Sequence, residues 1–345
     1  MASVRVAHMP ATSPTPLLTV VVNFFSLGRL ATDALASLRW SVDPRIRFLL
    51  VDDASPDDTL ARLERAAAHL PGAEVLALPV NQGLAGARMA ALAQVDTDWF
   101  TFLDGDDWVA KGYYPALLDE VRSAGVPWVR TDHIACTGRQ RELVRIPDLN
   151  RAGRIGCPRE SILSARTSSV DFAHAWSGVY HRDLAHDGTV FYPPQLRTAE
   201  DRPAIWTLHL TVPKFTIART VGVHYRQAVP GSLTQTGDVR QLAVTESMRQ
   251  VGEIVAADPQ AQRFRAKVLR TWTGLFAWHW AHRDRFTPAL RARFVAEAGA
   301  LLDTVAPQEL DAVIRAMPES RRQAVQALRR SARVLSLAPG LGRTS

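Results

Sequence analysis

Three aspartates are crowded into the segment Asp98 to Trp108, which reads DWFTFLDGDDW. Asp104, Asp106 and Asp107 directly follow an apolar run, Trp99 to Leu103, that predicts a buried strand. Carboxylates this close repel one another unless a cation lies among them, and divalent cations prefer oxygen ligands. The pattern therefore indicates a metal site at the end of a strand. The alternative is a solvated turn, since Asp-Gly pairs form turns readily.

A second acidic pair, Asp52-Asp53, ends the apolar run Ile46 to Val51. A carboxylate at a strand end can accept a hydrogen bond from a ribose or from the ring N–H of a base, because ligands bind at the carboxyl ends of parallel strands. The alternative is capping of a nearby helix. Ser55 and Asp58, three residues apart, have the spacing of a capping box for the helix that follows.

A third acidic pair, Glu200-Asp201, lies about a hundred residues beyond the aspartate cluster, in the sequence TAED. The segment after it places Ile205, Trp206 and Leu208 near helical spacing. Acidic residues often cap a helix, so capping is one interpretation of this pair.

Several other side chains have types suited to binding. Arg226 follows a valine-rich strand, and its planar guanidinium either binds phosphate oxygens in pairs or is a surface charge. His224, on the same strand, is either a metal ligand, since a neutral imidazole suits Mn²⁺ moderately well, or simply a strand histidine. Arg88 either offsets the acidic cluster, contacts a diphosphate or lies on a helix surface. Trp176 is either a core residue or a ring that stacks on a sugar.

The elements that must position these residues alternate between strand and helix. Apolar runs predict strands over Leu17–Phe25, Ile46–Val51, Glu74–Leu78 and Thr97–Leu103. Helical spacing is found between them, and such alternation is typical of a mostly parallel, Rossmann-like sheet flanked by helices. Residues Cys136 to Ser161 contain glycine, arginine and proline, and we expect a surface loop there.

Composition limits the function classes. The chain has 345 residues, 47% hydrophobic and 22% charged, and no apolar run near the roughly twenty residues needed to cross a bilayer. Its two cysteines, Cys136 and Cys157, have no partners at metal spacing, which fits a reducing cytoplasm and argues against zinc. Residues 1–16 predict a disordered leader without the apolar core of a signal peptide.

The net charge of +7 is concentrated at the C-terminus. Residues 262–345 hold fifteen Arg or Lys and six Asp or Glu, hence +9, which leaves −2 for residues 1–261. No nucleic-acid-binding motif accompanies this charge, so we expect no nucleic-acid partner. The region predicts helices, and two interpretations are open. The helices pack on the preceding domain or on a second copy, or Arg321 to Leu337 form a basic amphipathic surface for anionic lipids.

Three segments in order, VDDASPDDT, NQGLAGAR and FLDGDDW, resemble the nucleotide-binding half of family 2 inverting glycosyltransferases. The resemblance covers about residues 17–236 and implies a GT-A fold, a nucleoside-diphosphate sugar and a divalent metal, Mn²⁺ or Mg²⁺. The chain departs from the family at Asn23, where proline is usual, at Ser26, where asparagine is usual, and at Met89, where asparagine often follows the arginine. These departures concern sugar specificity rather than fold.

The resemblance also implies roles for the donor-side residues. Asp106 would be the direct metal ligand, with His224 as a further ligand. Asp104 would face the ribose or the water shell of the metal, and Asp107 would serve either role. One of Asp52 and Asp53 would contact the nucleotide, while Arg88 and Arg226 would contact the diphosphate.

On the acceptor side, the resemblance implies that Asp201 is the general base, with Glu200 as the second candidate. Trp176 would lie beside the acceptor. A loop within Val221–Thr236 would close over the diphosphate.

The sequence thus predicts a leader over residues 1–16, a GT-A domain over 17–236 and a basic, all-helical region over 237–345. The predicted activity is metal-dependent, inverting transfer of a sugar, most simply from a UDP-sugar, to a glycan, a lipid-linked acceptor or the cell envelope. The predicted location is the cytoplasm or the inner face of the membrane, and a homodimer is compatible with it. The alternative is a catalytically silent scaffold that binds a nucleotide sugar or a glycan.

Overall fold

The computed structural model describes residues 16–228 and 236–337. The predicted leader therefore lies almost wholly outside the described residues, as does most of the loop that was expected to close over the diphosphate. The described residues form eleven strands, which are β1 (Leu18–Phe24), β2 (Ile46–Asp52), β3 (Ala73–Ala77), β4 (Trp99–Asp104), β5 (Trp108–Val109), β6 (Trp128–Arg130), β7 (His133–Thr137), β8 (Gln140–Val144), β9 (Gly178–His181), β10 (Phe215–Ile217) and β11 (Val223–Arg226).

Helices connect and cover these strands. Within the described residues the α-helices are α1 (Ala31–Leu38), α2 (Thr59–Ala67), α3 (Gly83–Leu92), α4 (Tyr113–Ala124), α5 (Pro158–Ile162), α6 (Asp183–His186), α7 (Asp201–Thr211), α8 (Ala243–Ala256), α9 (Ala261–Ala281), α10 (Pro288–Asp303), α11 (Pro307–Arg315) and α12 (Glu319–Leu337). None of them is both long and apolar enough to cross a membrane.

Seven strands form the main sheet in the order β10-β6-β9-β4-β1-β2-β3. Only β9 runs antiparallel to its neighbours. Strands β1, β2 and β4 are buried and apolar because helices cover both faces. Asn23 on β1 pairs with Asp104 on β4, and Phe24 pairs with Asp52 on β2. This register brings two of the acidic motifs to one edge of the sheet.

A second, smaller sheet has the order β5-β11-β7-β8. Strand β11 pairs antiparallel with β5, so that His224 lies opposite Trp108, and parallel with β7, so that Arg226 lies opposite Cys136. Strands β7 and β8 form a hairpin around Gly138, whose φ of +57° is readily adopted by glycine. The prediction of a surface loop over Cys136–Ser161 is therefore wrong for this hairpin and for α5.

The helix α2 begins at Thr59, later than the capping-box pattern predicts. The polar groups expected to cap it have other partners. The backbone N–H of Ser55 donates to Asp52 (3.1 Å), and the Ser55 hydroxyl accepts from the backbone N–H of Ser26 (3.0 Å). Ser55 thus links the loop after β2 to the loop after β1.

Helices α8 to α12 form the predicted C-terminal helical region. Their core contains Met248, Val251, Phe276 and Phe294, all fully buried. The region also contacts the turn before α7, because the hydroxyl of Ser247 donates to the carbonyl of Ala199 (2.7 Å). The C-terminal helices therefore support the turn that carries Glu200 and Asp201.

Candidate active site

The turn after β4 is tight. The backbone N–H of Gly105 donates to the carbonyl of Asn23 (2.9 Å), and that of Asp107 donates to the carbonyl of Asp104 (3.0 Å). A Cβ at residue 105 would lie 2.3 Å from a ring carbon of Phe24, so only glycine fits here without rearrangement. This close approach places all three aspartates beside the end of β1.

The aspartate cluster carries more negative charge than its protein partners offset. Burial and the nearby Asp104 raise the pKa of Asp106 to about 6. Burial, Asp106 and Asp104 raise the pKa of Asp107 well above its usual range. Asp107 accepts one hydrogen bond, from the backbone N–H of Arg226 (2.6 Å), and its other carboxylate oxygen is buried without a partner in the described residues. A cation would relieve this repulsion, so these residues fit a divalent ion.

The described residues contain no group of three or more His, Cys, Asp or Glu side chains already arranged around a metal position. His224 is not brought to the aspartates. Its ring stacks on Trp108, with centroids 5.3 Å apart, and its Nδ1–H donates to the carbonyl of Gly222 (3.1 Å). The residues that would hold a metal are Asp106 and Asp104.

Arg88 on α3 links two acidic motifs. Its guanidinium lies 2.7 Å from Glu200 and 3.2 Å from Asp104. It also packs over the rings of Phe102 and Tyr192, at 5.5 and 5.3 Å from their centroids. The side chain is only 3% exposed, so the helix-surface alternative is wrong and the arginine offsets the acidic cluster.

Glu200 and Asp201 begin α7. Glu200 stands at the N-cap but makes no capping hydrogen bond with its side chain, which is paired with Arg88 instead. Asp201 is the next residue, and burial and the neighbouring Glu200 carboxylate raise its pKa to about 7. Ala199, before them, has a φ of +56°, a conformation that is costly for alanine and is held here by Ser247. The turn is thus shaped by packing rather than by capping.

The two carboxylates after β2 have different surroundings. Asp53 caps α3, since it accepts from the backbone N–H of Gln82 (2.7 Å) and of Gly83 (2.8 Å) and from the side chain of Asn81 (2.9 Å). For Asp53 the capping interpretation therefore holds. Asp52 accepts only from Ser55, and its second carboxylate oxygen is buried without a partner in the described residues. Asp52 is thus the better candidate for contacting a nucleotide.

Trp176 is a core residue. It is 3% exposed and stacks against His174 and Tyr225, with ring centroids 4.8 and 5.2 Å away. The edge of His133 also contacts it, at 4.9 Å. No ring surface is left for a sugar, so the prediction of a direct acceptor contact is wrong for this arrangement.

Two residues at the site were missed by the sequence analysis. Phe25 follows β1 directly and is 44% exposed, between the acidic ends of β2 and β4. Tyr225 stacks on Trp176, and burial together with the charges of Asp104 and Asp107 raises the pKa of its phenol. For Phe25 the available signal in the sequence was an aromatic residue at the end of an apolar run. Tyr225 gave no signal, because only the second sheet brings it to the aspartates.

Arg226 lies beside the aspartate cluster. Its Nε donates to the carbonyl of Asp106 (2.8 Å), and its guanidinium pairs with Asp33 (2.6 Å) and packs over Trp108 at 4.7 Å. The side chain thus lies beside the acidic turn, as the sequence analysis expects of a residue that contacts the donor.

The mostly parallel sheet, with an acidic turn at its strand ends, has the architecture of the GT-A fold. Residues 20–188 match the model of Glycosyl transferase family 2, and this part of the chain belongs to that family. The sequence-based prediction of fold and family is confirmed.

Curated relatives are similar at low identity. Poly(ribitol-phosphate) beta-N-acetylglucosaminyltransferase TarS from Staphylococcus aureus (strain MW2) is 24% identical over 253 residues, which cover 70% of this chain and 41% of TarS. The uncharacterized glycosyltransferase EpsJ from Bacillus subtilis is 24% identical over 195 residues, 54% of each chain. The chain thus matches well under two thirds of the length of these relatives.

Solved structures share the fold. S. aureus TarS 1-349 in complex with UDP-GlcNAc gives a TM-score of 0.70 at 17% identity, over 92% of this chain and 90% of that one. A mannosyltransferase from Pyrobaculum calidifontis in complex with GDP-Man and Mn²⁺ gives 0.50 at 17% identity, over 95% and 89%.

Proposed function

We propose that this protein is an inverting glycosyltransferase that moves a sugar from a nucleoside-diphosphate sugar to a hydroxyl of a cell-envelope, glycan or lipid-linked acceptor. The observation that carries the proposal is the bridge made by Arg88. It joins Asp104, in the donor motif, to Glu200, beside the base candidate Asp201. One ion-pair network thus connects the groups for donor binding and for proton removal.

The donor lies at the edge formed by the ends of β1, β2 and β4. Phe25 offers an exposed ring for the base, and Asp52 offers a carboxylate for a ring N–H or a ribose hydroxyl. UDP is the nucleotide that we propose, because the structurally similar TarS was solved with UDP-GlcNAc. The diphosphate would then approach the turn of Asp104 and Asp106.

The residues that would hold a divalent cation are Asp106 and Asp104. Such an ion, Mn²⁺ or Mg²⁺, would neutralise the charge that develops on the departing diphosphate. Arg226, beside the Asp106 carbonyl, supplies a further positive charge from the protein itself.

Asp201 is the group that we assign as general base. It accepts the proton of the acceptor hydroxyl while the hydroxyl oxygen attacks the anomeric carbon from the face opposite the diphosphate. The new C–O bond forms as the bond to the diphosphate breaks, which inverts the configuration. A pKa near 7 suits this task, because a base works best when its pKa is close to the working pH.

The acceptor proposal rests on the relatives. TarS is named for transfer to poly(ribitol-phosphate), and the relative ExoO from Rhizobium meliloti is named for succinoglycan biosynthesis. We place the acceptor of this protein among such cell-envelope polymers or their lipid-linked precursors. The reaction would take place in the cytoplasm, at the inner face of the membrane.

A thermal-shift screen of UDP-GlcNAc, other UDP-sugars and GDP-mannose, with and without Mn²⁺, tests the donor. A ligand at a hundred times its dissociation constant stabilises the fold by about 2.7 kcal/mol. Turnover of the stabilising donor, with analysis of the product anomer, then tests the chemistry. Donor binding without any transfer or hydrolysis would favour the silent scaffold.

A further inference from the structure

An open cavity of about 480 Å³ lies between the second sheet and the start of α1. Its lining includes Leu30, Trp108, Arg141, Arg226 and Gln227, and we refer to it as the Trp108 cavity. We propose that the Trp108 cavity binds a phosphate group of an anionic acceptor chain. This inference rests on the proposed function and specifies its acceptor.

Two guanidinium groups pack over the same indole in this cavity. The centre of the Arg226 guanidinium lies 4.7 Å from the Trp108 ring, and that of Arg141 lies 5.4 Å from it. Cation–π contact holds both side chains in place without cancelling their charge. The cavity therefore presents two fixed positive groups on an apolar floor.

The charge of Arg141 has no acidic partner among the described residues. Arg226 is paired with Asp33 at 2.6 Å, whereas Arg141 donates only to the carbonyls of Gly138 and Gln140, each at 2.8 Å. No ion pair of Arg141 is found in the part of the chain that the structure describes. A guanidinium held in this way is suited to a phosphate, which it can bind through two hydrogen bonds.

The cavity is separate from the base candidate. Side chains on a strand alternate between the two faces of its sheet, so Arg226 and Tyr225 on β11 point to opposite sides. Tyr225 lies with Trp176 and near the carboxylates, while Arg226 faces Trp108 and the cavity. The two regions meet only at the acidic turn, where Arg226 contacts the Asp106 carbonyl.

An acceptor with several repeat units fits this arrangement. One unit offers its hydroxyl at Asp201, and a neighbouring unit must lie elsewhere on the surface. Trp108 and Leu30 can cover the carbon chain of a polyol, and Arg141 can bind the phosphate between two polyols. An uncharged glycan would offer no counter-charge to Arg141, whose hydrogen bonds in the described residues go to backbone carbonyls. The occupant that the cavity selects is therefore a phosphodiester-linked polyol chain.

Arg141→Gln tests this proposal, and Arg139→Gln is its matched control. Both arginines are exposed in the β7–β8 hairpin, but only Arg141 packs on Trp108. The probe is a synthetic trimer of ribitol phosphate, titrated by calorimetry without donor, with maltotriose as the uncharged comparison. We expect Arg141→Gln to weaken binding of the trimer roughly tenfold, as for loss of a hydrogen bond to a charged group. Arg139→Gln should bind the trimer like the parent, and neither change should alter the affinity for UDP-GlcNAc.

Four results would overturn the proposal. Equal weakening by both substitutions would mean general charge attraction, and displacement of the trimer by UDP would assign the cavity to the donor. Failure of the parent to bind the trimer, or inorganic phosphate binding as tightly as the trimer, would exclude an acceptor chain. Failure of the proposed function would differ from all of these, because the trimer would bind as expected while no sugar was transferred to any acceptor.

Discussion

Asp201 combines burial with a like charge next to it in the chain. Both effects disfavour the carboxylate and raise its pKa to about 7, while the neighbouring Glu200 is paired with Arg88. The two acidic residues of TAED therefore have different tasks. Glu200 ties the turn to α3, and Asp201 remains available to take a proton.

We expect Asp201→Asn to lower kcat by about 10²- to 10⁴-fold, the usual contribution of a positioned base. Donor affinity should stay unchanged because the base contacts the acceptor hydroxyl. Steady-state kinetics and a melting curve on the same sample measure both. A variant with near-parental kcat would remove Asp201 from the mechanism and leave Glu200 as the candidate.

The pH dependence follows from the same pKa. The base must be deprotonated, so kcat/KM should rise with pH up to about 7 and level off above it.

The free energy of unfolding should depend on pH in the opposite direction. Because the folded pKa is raised above the unfolded value of about 3.9, this carboxyl stabilises the fold at low pH, and the contribution is lost as pH rises through about 7. Denaturation curves should show that the free energy of unfolding falls less between pH 4 and 7 in Asp201→Asn than in the parent. An equal fall in both proteins would contradict the burial of Asp201.

Asp106→Asn should abolish the metal dependence of UDP binding while the protein stays folded. The reason is that the amide removes the charge that attracts the cation but keeps the shape of the side chain. Calorimetry with and without Mn²⁺ gives the readout. Asp98→Asn, at a half-exposed carboxylate before the same strand, is the control and should behave like the parent. Unchanged metal dependence in Asp106→Asn would show that the ligand lies elsewhere.

At the scale of elements, Arg88 fastens α3 to both β4 and α7. Removing one partner of a buried ion pair leaves the other charge unpaired, which costs about 3 kcal/mol or more. Arg88→Met should therefore lower the free energy of unfolding by about that amount, as measured by urea denaturation.

The control for that experiment is Arg62→Met. Arg62 pairs with Asp58 on the exposed side of α2, where water screens the pair and it contributes little to stability. If both variants lost the same small amount, the bridge between the two acidic motifs would not be important for the fold.

At the scale of the whole molecule, the C-terminal helices are part of the site's support. Ser247 holds the turn before Glu200, and the hydroxyl of Thr198 donates to the carbonyl of Arg240 (2.8 Å). Truncation near Gly237 would remove these contacts together with the basic surface. Membrane binding is therefore better tested by substitution.

The C-terminal end of α12 exposes Val334 (67%) and Leu337 (81%) beside charged residues. We expect the triple change of Arg321, Arg330 and Arg333 to Gln, all exposed, to weaken binding to phosphatidylglycerol-rich vesicles about a hundredfold, at about 1 kcal/mol per arginine.

Arg329→Gln is the control for the vesicle experiment. Arg329 is paired with Asp311 at 3.0 Å, so its loss should change binding little. Vesicle co-sedimentation measures both variants. Equal binding by parent and triple variant would leave these helices with a packing role only.

Local sequence determined the order of the elements and the acidic motifs. Apolar runs were long enough to specify β1, β2 and β4, since burial on both faces requires nearly continuous apolar residues. The aspartates that end these strands could be located from the sequence for the same reason. The positions of Asp53 and Trp176 could be read from the sequence in the same way, but their roles could not.

Tertiary structure decided which of these side chains are free to act. Asp53 is occupied because the start of α3 folds against β2, and Trp176 is covered because Tyr225 arrives on a distant strand. Arg88 meets Glu200 across 112 positions of the chain, and the Trp108 cavity exists only because β11 pairs with β5 and β7. Periodicity reports which face of an element is buried, whereas long-range packing determines what that face touches.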